Sequence, residues 1–573
     1  MLNRRGFLKL AGLGAAAAAV PSWARGVAGE TMFSERRESM APKPNFLVIV
    51  MDDMGYSDPG CYGGPVATPH IDGLAAGGIR FTQCYSTARC WPSRACILTG
   101  YYAQQVRRDA LPATAGMPGL AGGTGGKRPA WARLLPEMLR PLGYRSYHSG
   151  KWHVDGKPVA GGFDLAFEYS DTDHHFLSAK RMAEIDPPLE PVKSAEGYYA
   201  STAIADFAIR CLRDHAKNFA DRPFFQYLAF TEPHFPIQAP QEDIDRYRDR
   251  FLKGWDELRR EKHKRMTDMG LINCPLSKPD PKSLPNWNLK PEEMKTRIGP
   301  GEVPQAVPWD TLTDEQKRFQ ATKMAIHAAM IDRVDREIGR VLDQLRAMNA
   351  FENTVILFVS DNGASAEQMI RGDGHDPAAP LGSAKTYACL GPGWSTASNT
   401  PFRLHKVWVH EGGISSPLIV HWPTGIPARG ELRRDVCHFI DFVPTLLELA
   451  GGHRPETWEG KPVPPPPGMS LVPAFARDGA VAHEYLWWCH SGNRAIRVGD
   501  WKVVAEGAQG PWELYDLRTD RAESTNLAEK HPEKVRELSD RWTRAAEEIR
   551  RVATSDDAAD HGTDASVRIS ESP

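Results

Sequence analysis

Residues 45–51, NFLVIVM, and 354–359, TVILFV, are continuously apolar, and both runs stop abruptly in polar residues: Asp52 and Asp53 after the first, Ser360, Asp361 and Asn362 after the second. A strand with one face in water alternates apolar and polar side chains, whereas a run without alternation is buried on both faces, as in a parallel sheet. Ahead of the second run, Val334, Ile338, Val341, Leu342 and Leu345 recur at helical spacing, so helix followed by buried strand is the local unit. Residues 224–230 and 417–420 extend the pattern, which predicts an α/β sandwich on a large, mainly parallel sheet. Reactive groups in such sheets gather beyond the carboxyl ends of the strands. Asp52, Asp53, His234, Asp361 and Asn362 all stand in that position.

The spacing of these polar ends also selects a chemistry. Asp52, Asp53, Asp361 and Asn362 offer three carboxylates and a carboxamide oxygen, with no thiolate or imidazole. All-oxygen ligation suits a hard cation such as calcium, and magnesium less well because it demands tight octahedral geometry. One such pair alone reads as a strand-end turn. Two pairs after two buried strands read as a binding site.

The 573 residues exceed one small core and suggest about two or three domains. The 70 Lys and Arg nearly cancel the 72 Asp and Glu, so no bulk field draws the chain to nucleic acid or to a membrane surface. Recognition of an anionic substrate must come from a few placed cations. At the N-terminus, Arg4 and Arg5 precede a weakly apolar run, 10–20, and then Ser22, Trp23 and Ala24, with small residues where a signal peptidase cuts. This pattern is that of a twin-arginine export signal over residues 1–28, which implies the twin-arginine translocase as partner and a periplasmic or secreted mature chain. The run is shorter than the ~20 residues needed to span a bilayer, and no other stretch qualifies, so no stable membrane insertion is expected. The nine cysteines form neither a disulfide framework nor a zinc motif, and their pairing is open.

Residues 236–316 are polar and rich in Pro, Lys and Asp, with one helix predicted at about 251–266, and read as an insertion over one end of the sheet. The run PPPPG at 464–468 marks a linker. Short strands at 485–488, 495–498, 501–504 and 512–515, then a helix from about 532 to 550, predict a smaller second domain with an antiparallel sheet and one helix. The division expected is a catalytic domain over 44–470, a C-terminal subdomain over 480–551 and a disordered tail over 552–573. The glycine-rich segment 119–127 fails as a phosphate loop, because Ala121 and Arg128 stand where glycine and Ser or Thr belong. Asp171, Asp173, His174 and His175 read as a solvated loop, since no second segment contributes ligands.

Cys90-Trp91-Pro92-Ser93-Arg94, continued by ACILTG to Gly100, resembles the maturation and active-site signature of the type I sulfatases, a formylglycine-dependent family of the alkaline phosphatase-like superfamily. Gly150-Lys151-Trp152-His153, the TEPHFP run at 231–236, PFRLHK at 401–406, EGGI at 411–414 and PLIVHWP at 417–423 match family motifs in type and order. The pattern at 492–501 with 512–516 looks like the second domain of bacterial arylsulfatase-like members. One departure is Cys489 before His490, where an acidic residue is expected; it bears on substrate, not on chemistry.

The resemblance implies an exported sulfatase that converts sulfate monoesters to alcohol and inorganic sulfate, acting on sulfated carbohydrates or small aryl or alkyl esters. Cys90 would be oxidised by a formylglycine-generating enzyme, and the hydrated aldehyde would be the nucleophile. Asp52, Asp53, Cys90, Asp361 and Asn362 would surround one calcium ion. Arg94 and Lys151 would steady the diol and the sulfate; His153 would take the proton that releases sulfate; His234 and Lys406 would face the departing oxygen. Pro92 suits the first turn of a helix, which would put residue 90 at a helix N-terminus where an anion is favoured. Two rivals share the residue set: a formylglycine-dependent phosphonate or phosphate ester hydrolase, and a silent carbohydrate-binding relative. The intact lysines and histidines argue against the second.

Overall fold

Among the described residues, nine strands form the main sheet: β1 Asn45–Met51, β2 Ile79–Tyr85, β3 Arg145–Lys151, β4 Leu165–Tyr169, β5 Ile185–Asp186, β6 Phe224–Ala229, β7 Thr354–Ser360, β8 Ser415–His421 and β9 Glu431–His438. Their order is β5-β4-β3-β6-β1-β7-β8-β2-β9. The run β4-β3-β6-β1-β7 is parallel throughout, while β8 is antiparallel to both its neighbours. The computed structural model describes residues 42–110, 120, 126–169, 175–176, 185–186, 197–371 and 374–555. The expected export signal, the tail beyond 555, Asp171, Asp173, His174 and residues 119 and 121–125 of the glycine-rich segment lie outside them. Among the described residues, no helix is long and apolar enough to cross a membrane.

The unbroken apolar character of β1 and β7 has a direct cause. Leu47, Ile49 and Met51 enter one hydrophobic core together with Ile356 and Phe358, whereas Phe46, Val48 and Val50 enter another with Val355, Leu357 and Val359. Helices Ala200–Asn218 and Asp314–Ala347 cover the first face. Helices Cys90–Thr99 and Phe442–Leu449 cover the second. The 34-residue helix Asp314–Ala347 starts in a capping box, with Thr313 Oγ1 accepting from Gln316 N at 3.2 Å and Gln316 Oε1 accepting from Thr313 N at 2.9 Å.

The segment 236–316 is part of the core rather than a loose cover. Its helix, Gly254–Asp268, buries Trp255, Leu258 and Met266 in the first core, and Lys262 Nζ reaches Asp58 Oδ1 at 3.0 Å with neither side chain exposed. A short hairpin, β10 Thr457–Trp458 with β11 Lys461–Pro462, precedes a four-stranded antiparallel sheet in the order β12 Leu486–His490, β13 Asn493–Val498, β14 Trp501–Ala505, β15 Glu513–Asp516. Helix Pro532–Ala553 packs on this sheet, as expected from the sequence. Trp487, Ile496, Val503 and Leu514 of the small sheet share the second core with the large one, and the described residues from Lys43 onward group as one unit. None of the nine cysteines is in a disulfide.

Candidate active site

Four neighbouring parallel strands deliver the site. Met51 of β1 is paired with Ser360 of β7, so the residues that follow, Asp52 and Asp361, leave the sheet side by side. Asp361 N donates to Met51 O at 3.0 Å, Asp53 N to Asp361 Oδ1 at 3.3 Å, and Asn362 Nδ2 to Asp53 Oδ1 at 2.7 Å. On the other side of β1, β6 leads to His234, and beyond it β3 ends in Lys151. Gly150 sits at φ +107°, and a Cβ there would lie 1.9 Å from the Ala229 carbonyl oxygen, so only glycine lets β3 and β6 bring Lys151 to this place. Asp53 and His153, neither of them glycine, also adopt positive φ, 64° and 55°, a strain that gathers at functional sites.

The carboxylates are met by three buried cations from distant segments. Lys151 Nζ lies 2.5 Å from Asp52 Oδ2, and Lys406 Nζ lies 2.8 Å from Asp53 Oδ2. Arg94 directs Nε and Nη2 at Asp361 Oδ2, at 3.1 and 2.8 Å, and Nη1 at the Lys151 carbonyl at 3.0 Å. Lys406 stands in the loop before β8, whose antiparallel direction brings its start to the carboxyl end of β7. The Val407 N–H donates to Ala88 O at 2.8 Å and ties that loop to the turn ahead of Cys90.

Cys90 opens the helix Cys90–Thr99 and is 2% exposed, with Trp91 and Pro92 in the first turn. Residue 90 thus lies where unsatisfied N–H groups and the helix dipole favour an anion. It is close enough to Arg94, Asp361 and Lys406 to shift the protonation of each. All the residues expected at the site are therefore brought to one end of the sheet. His153 stands beside them, its ring edge-on to Trp91 at 5.8 Å.

Burial and charge divide the titratable groups. Burial raises Asp361, and the neighbouring Asp52 charge adds to it, so its carboxyl is pushed up to about 8. Burial also opposes the Asp52 charge, but Lys151 above all, with His234 and Arg94, holds that carboxyl below its ordinary value. His234 falls to about 4 through burial and then Lys406. Its Nδ1 lies 2.6 Å from the Phe235 carbonyl, which can only accept, so Nδ1 carries the proton and Nε2 presents a lone pair. Burial lowers Lys406, but Asp53 and then Glu367 outweigh it and its pKa is raised. Lys406, not His234, is the charged member of that pair.

The arrangement fits a hard divalent ion. Among the described residues, Asp52 Oδ1 and Asn362 Oδ1 are buried oxygens with no hydrogen-bond partner, and Asp52, Asp53 and His234 present ligand atoms within 4.8 Å of one another. Asp52 and Asp361 cannot both ionise cheaply without added positive charge, which such an ion supplies.

Three groups escaped the sequence reading. Glu367, 1% exposed, accepts from Trp287 Nε1 at 2.9 Å and from Arg89 Nη2 at 3.3 Å, and lies 3.4 Å from Lys406 Nζ. Arg89 stacks on Trp91 and Trp287 at 5.2 and 5.4 Å. His175, expected in a solvated loop, is 2% exposed: its Nδ1 is 3.1 Å from Glu232 Oε1 and its Nε2 3.2 Å from His234 O. The Glu232 partner, 57 residues along the chain, is what the sequence did not reveal.

Residues 44–452 match the family model for sulfatases, and residues 403–550 match the model described as N-sulphoglucosamine sulphohydrolase, C-terminal. The chain belongs to the sulfatase family. It is 33% identical to an uncharacterised sulfatase of Schizosaccharomyces pombe over 92% of this chain and 97% of that one. It is 31% identical to an arylsulfatase of Klebsiella aerogenes over 75% and 91%. Among solved structures, Ps i-CgsB in complex with k-i-k-neocarrahexaose aligns with TM-score 0.60 at 22% identity, covering 88% of this chain and 93% of that one. Another, in complex with its substrate D-glucosamine-2-N,6-O-disulfate, aligns with TM-score 0.58 at 21% identity over 91% and 100%. This sulfatase is thus an enzyme of the sulfuric ester hydrolase class on a mixed, mainly parallel sheet.

Proposed function

We propose that this sulfatase hydrolyses sulfate monoesters, on sulfated carbohydrates or aryl sulfates, with residue 90 as nucleophile after oxidation to formylglycine and with calcium between the strand ends. The observation that carries this reading is the convergence of Arg94, Lys151 and Lys406 on Asp361, Asp52 and Asp53 beside Cys90 at a helix N-terminus. With all three carboxylates ionised, the three cations leave the set near neutrality. An added divalent ion makes it cationic, as an anionic ester requires before a nucleophile can approach.

Asp52, Asp53, Asp361 and Asn362, with residue 90 beside them, would hold the ion. When bound, it polarises sulfate oxygens and offsets charge. The aldehyde form of residue 90 supplies, as its hydrate, a nucleophile with a second hydroxyl through which sulfate is expelled without an attacking water.

The chain's own residues do the rest. Arg94, fixed by Asp361, and Lys151, fixed by Asp52, orient the nucleophile and the sulfate group. Lys406, kept protonated by Asp53 and Glu367, places positive charge at the departing oxygen. His234 offers its Nε2 lone pair toward the same centre, and His153 is the base that takes the proton from the second hydroxyl. Burial of Cys90 requires that a formylglycine-generating enzyme reach it before folding, which agrees with a twin-arginine route that exports folded chains to the periplasm or beyond. In that reading residues 44–470 form the catalytic domain and 480–551 a subdomain that closes one side of the site.

Two measurements test the proposal. Mass spectrometry of the tryptic fragment ending at Arg94 reads the state of residue 90, where a thiol in the active enzyme would overturn the nucleophile. Turnover of matched aryl sulfate and aryl phosphate esters reads the substrate, and faster phosphate turnover would overturn the sulfatase assignment.

A further inference from the structure

A pocket of about 590 Å³ opens beside the site, with Trp287, Trp408, His490, Asp109 and Glu506 among its lining residues. This is within the size range of pockets that hold small organic ligands. It adjoins the chemistry directly. His490 meets Trp91, the neighbour of Cys90, edge-on at 5.7 Å, and the wall residue Val407 follows Lys406. We propose that this pocket receives the alcohol part of the ester and selects an uncharged, hydroxyl-bearing ring over one that carries a second sulfate or a carboxylate. The inference rests on the sulfatase reading and names its substrate class more narrowly.

Charge is the first ground. Among the described residues that line the pocket, the ionisable side chains other than cysteine and histidine are the carboxylates Asp109 and Glu506, with no lysine or arginine. The stretch 111–125, next to Asp109 in the chain, contains no charged residue. Arg89, over the Trp287 ring at 5.4 Å and near enough to His490 to lower its pKa, is paired with Glu367 at 3.3 Å. Burial raises the Asp109 carboxyl above its ordinary value, so repulsion of a second anion falls mainly to Glu506, while both carboxyl groups can accept hydrogen bonds from ring hydroxyls.

Shape and hydrogen bonding are the second. Trp287 and Trp408 are both fixed through their indole N–H groups, to Glu367 and Glu506 at 2.9 Å each, so their apolar rings are held in place as walls. His490 is 4% exposed, and its Nε2 has no hydrogen-bond partner among the described residues. A buried polar atom without a partner is costly, and a ligand hydroxyl relieves it. Burial first, then Arg89 and Lys406, lower the His490 pKa to about 3, so the imidazole is neutral at ordinary pH and offers no charge to a second anion.

The test compares the metal-loaded, matured enzyme on 4-(2-hydroxyethyl)phenyl sulfate and 4-(carboxymethyl)phenyl sulfate, which differ in charge but little in leaving-group acidity. Expected is a preference of about tenfold in kcat/KM for the hydroxyl ester, carried by KM. In the Asp109→Asn, Glu506→Gln double variant that gap narrows to about threefold or less, while His490→Ala raises KM for the hydroxyl ester. Equal turnover of the two esters by the wild type, or an unchanged gap in a double variant whose circular dichroism matches wild type, overturns the inference. Failure to cleave either ester would instead sink the sulfatase reading on which it stands.

Discussion

Arg94 and Asp361, 267 residues apart and both without solvent exposure, are joined by two hydrogen bonds into a single carboxylate oxygen. Burial disfavours the Arg94 charge, but Asp361 above all, then Tyr227 and Asp52, raises its pKa and keeps it protonated. Removing one partner strands the other. Arg94→Met is expected to cost about 3–5 kcal/mol in urea unfolding, because Asp361 and Asp52 lose a buried counter-charge. Arg94→Lys keeps the charge but loses the planar fork, so it should fold and yet lose on the order of 100-fold in kcat/KM.

The unpartnered oxygens of Asp52 and Asn362 and the crowded Asp52 and Asp361 carboxylates lead to a second prediction. Chelation should abolish hydrolysis, and calcium should restore it. Calcium at 100 times its Kd should stabilise the fold by about 2.7 kcal/mol, read as a rise in Tm. Asp52→Asn should fold and show a weakened calcium-dependent Tm shift; an undiminished shift would place the ion elsewhere.

Much of the site was legible in the sequence because both faces of β1 and β7 are buried. That leaves no polar residue inside the strands, and the first acids after them mark the carboxyl end. The pairing of Met51 with Ser360, which makes neighbours of Asp52 and Asp361, was not legible, since apolar runs carry no register of their own. Glu367 was invisible for a related reason: its partners Arg89, Trp287 and Lys406 come from three other segments, and one glutamate among 72 acidic residues has no local mark. The helix Gly254–Asp268 reads as polar surface, yet it buries Lys262 and Arg259 along with its apolar residues. Composition gave the wrong impression there because a buried ion pair, Lys262 with Asp58, replaces apolar packing.

A third prediction concerns acid stability where the small sheet meets the large one. Glu411, fully buried, lies 3.0 Å from Lys502 and 3.4 Å from Arg521. Burial opposes its charge, but Lys502 first, then Arg521 and Arg497, hold its carboxyl down at about 2, against an ordinary value of 4.5. A depressed carboxyl stabilises the fold above the ordinary value, and that contribution is lost as pH falls through about 2. Glu411→Gln should therefore be less stable than wild type by about 3–5 kcal/mol near neutral pH. The gap should narrow steadily once pH drops below 4.5, as read from urea unfolding at several pH values. A gap independent of pH would mean that packing, not charge, joins the two sheets.

Glu367 offers a prediction that separates positioning from mere structure. It touches no reacting atom, but it lies 3.4 Å from Lys406 Nζ and is, after Asp53, the main carboxylate that raises the Lys406 pKa. Glu367→Gln keeps the shape and much of the hydrogen bonding to Trp287 while removing the charge. Lys406 then loses protonated population at lower pH than before, so the alkaline limb of the kcat profile should move to lower pH, with kcat reduced by about tenfold to 100-fold. Esters of poor leaving groups should suffer most, since they depend most on positive charge at the departing oxygen. A loss of rate that is uniform across leaving groups, with the alkaline limb unmoved, would show that Glu367 merely fills space and that Lys406 is held by Asp53 alone.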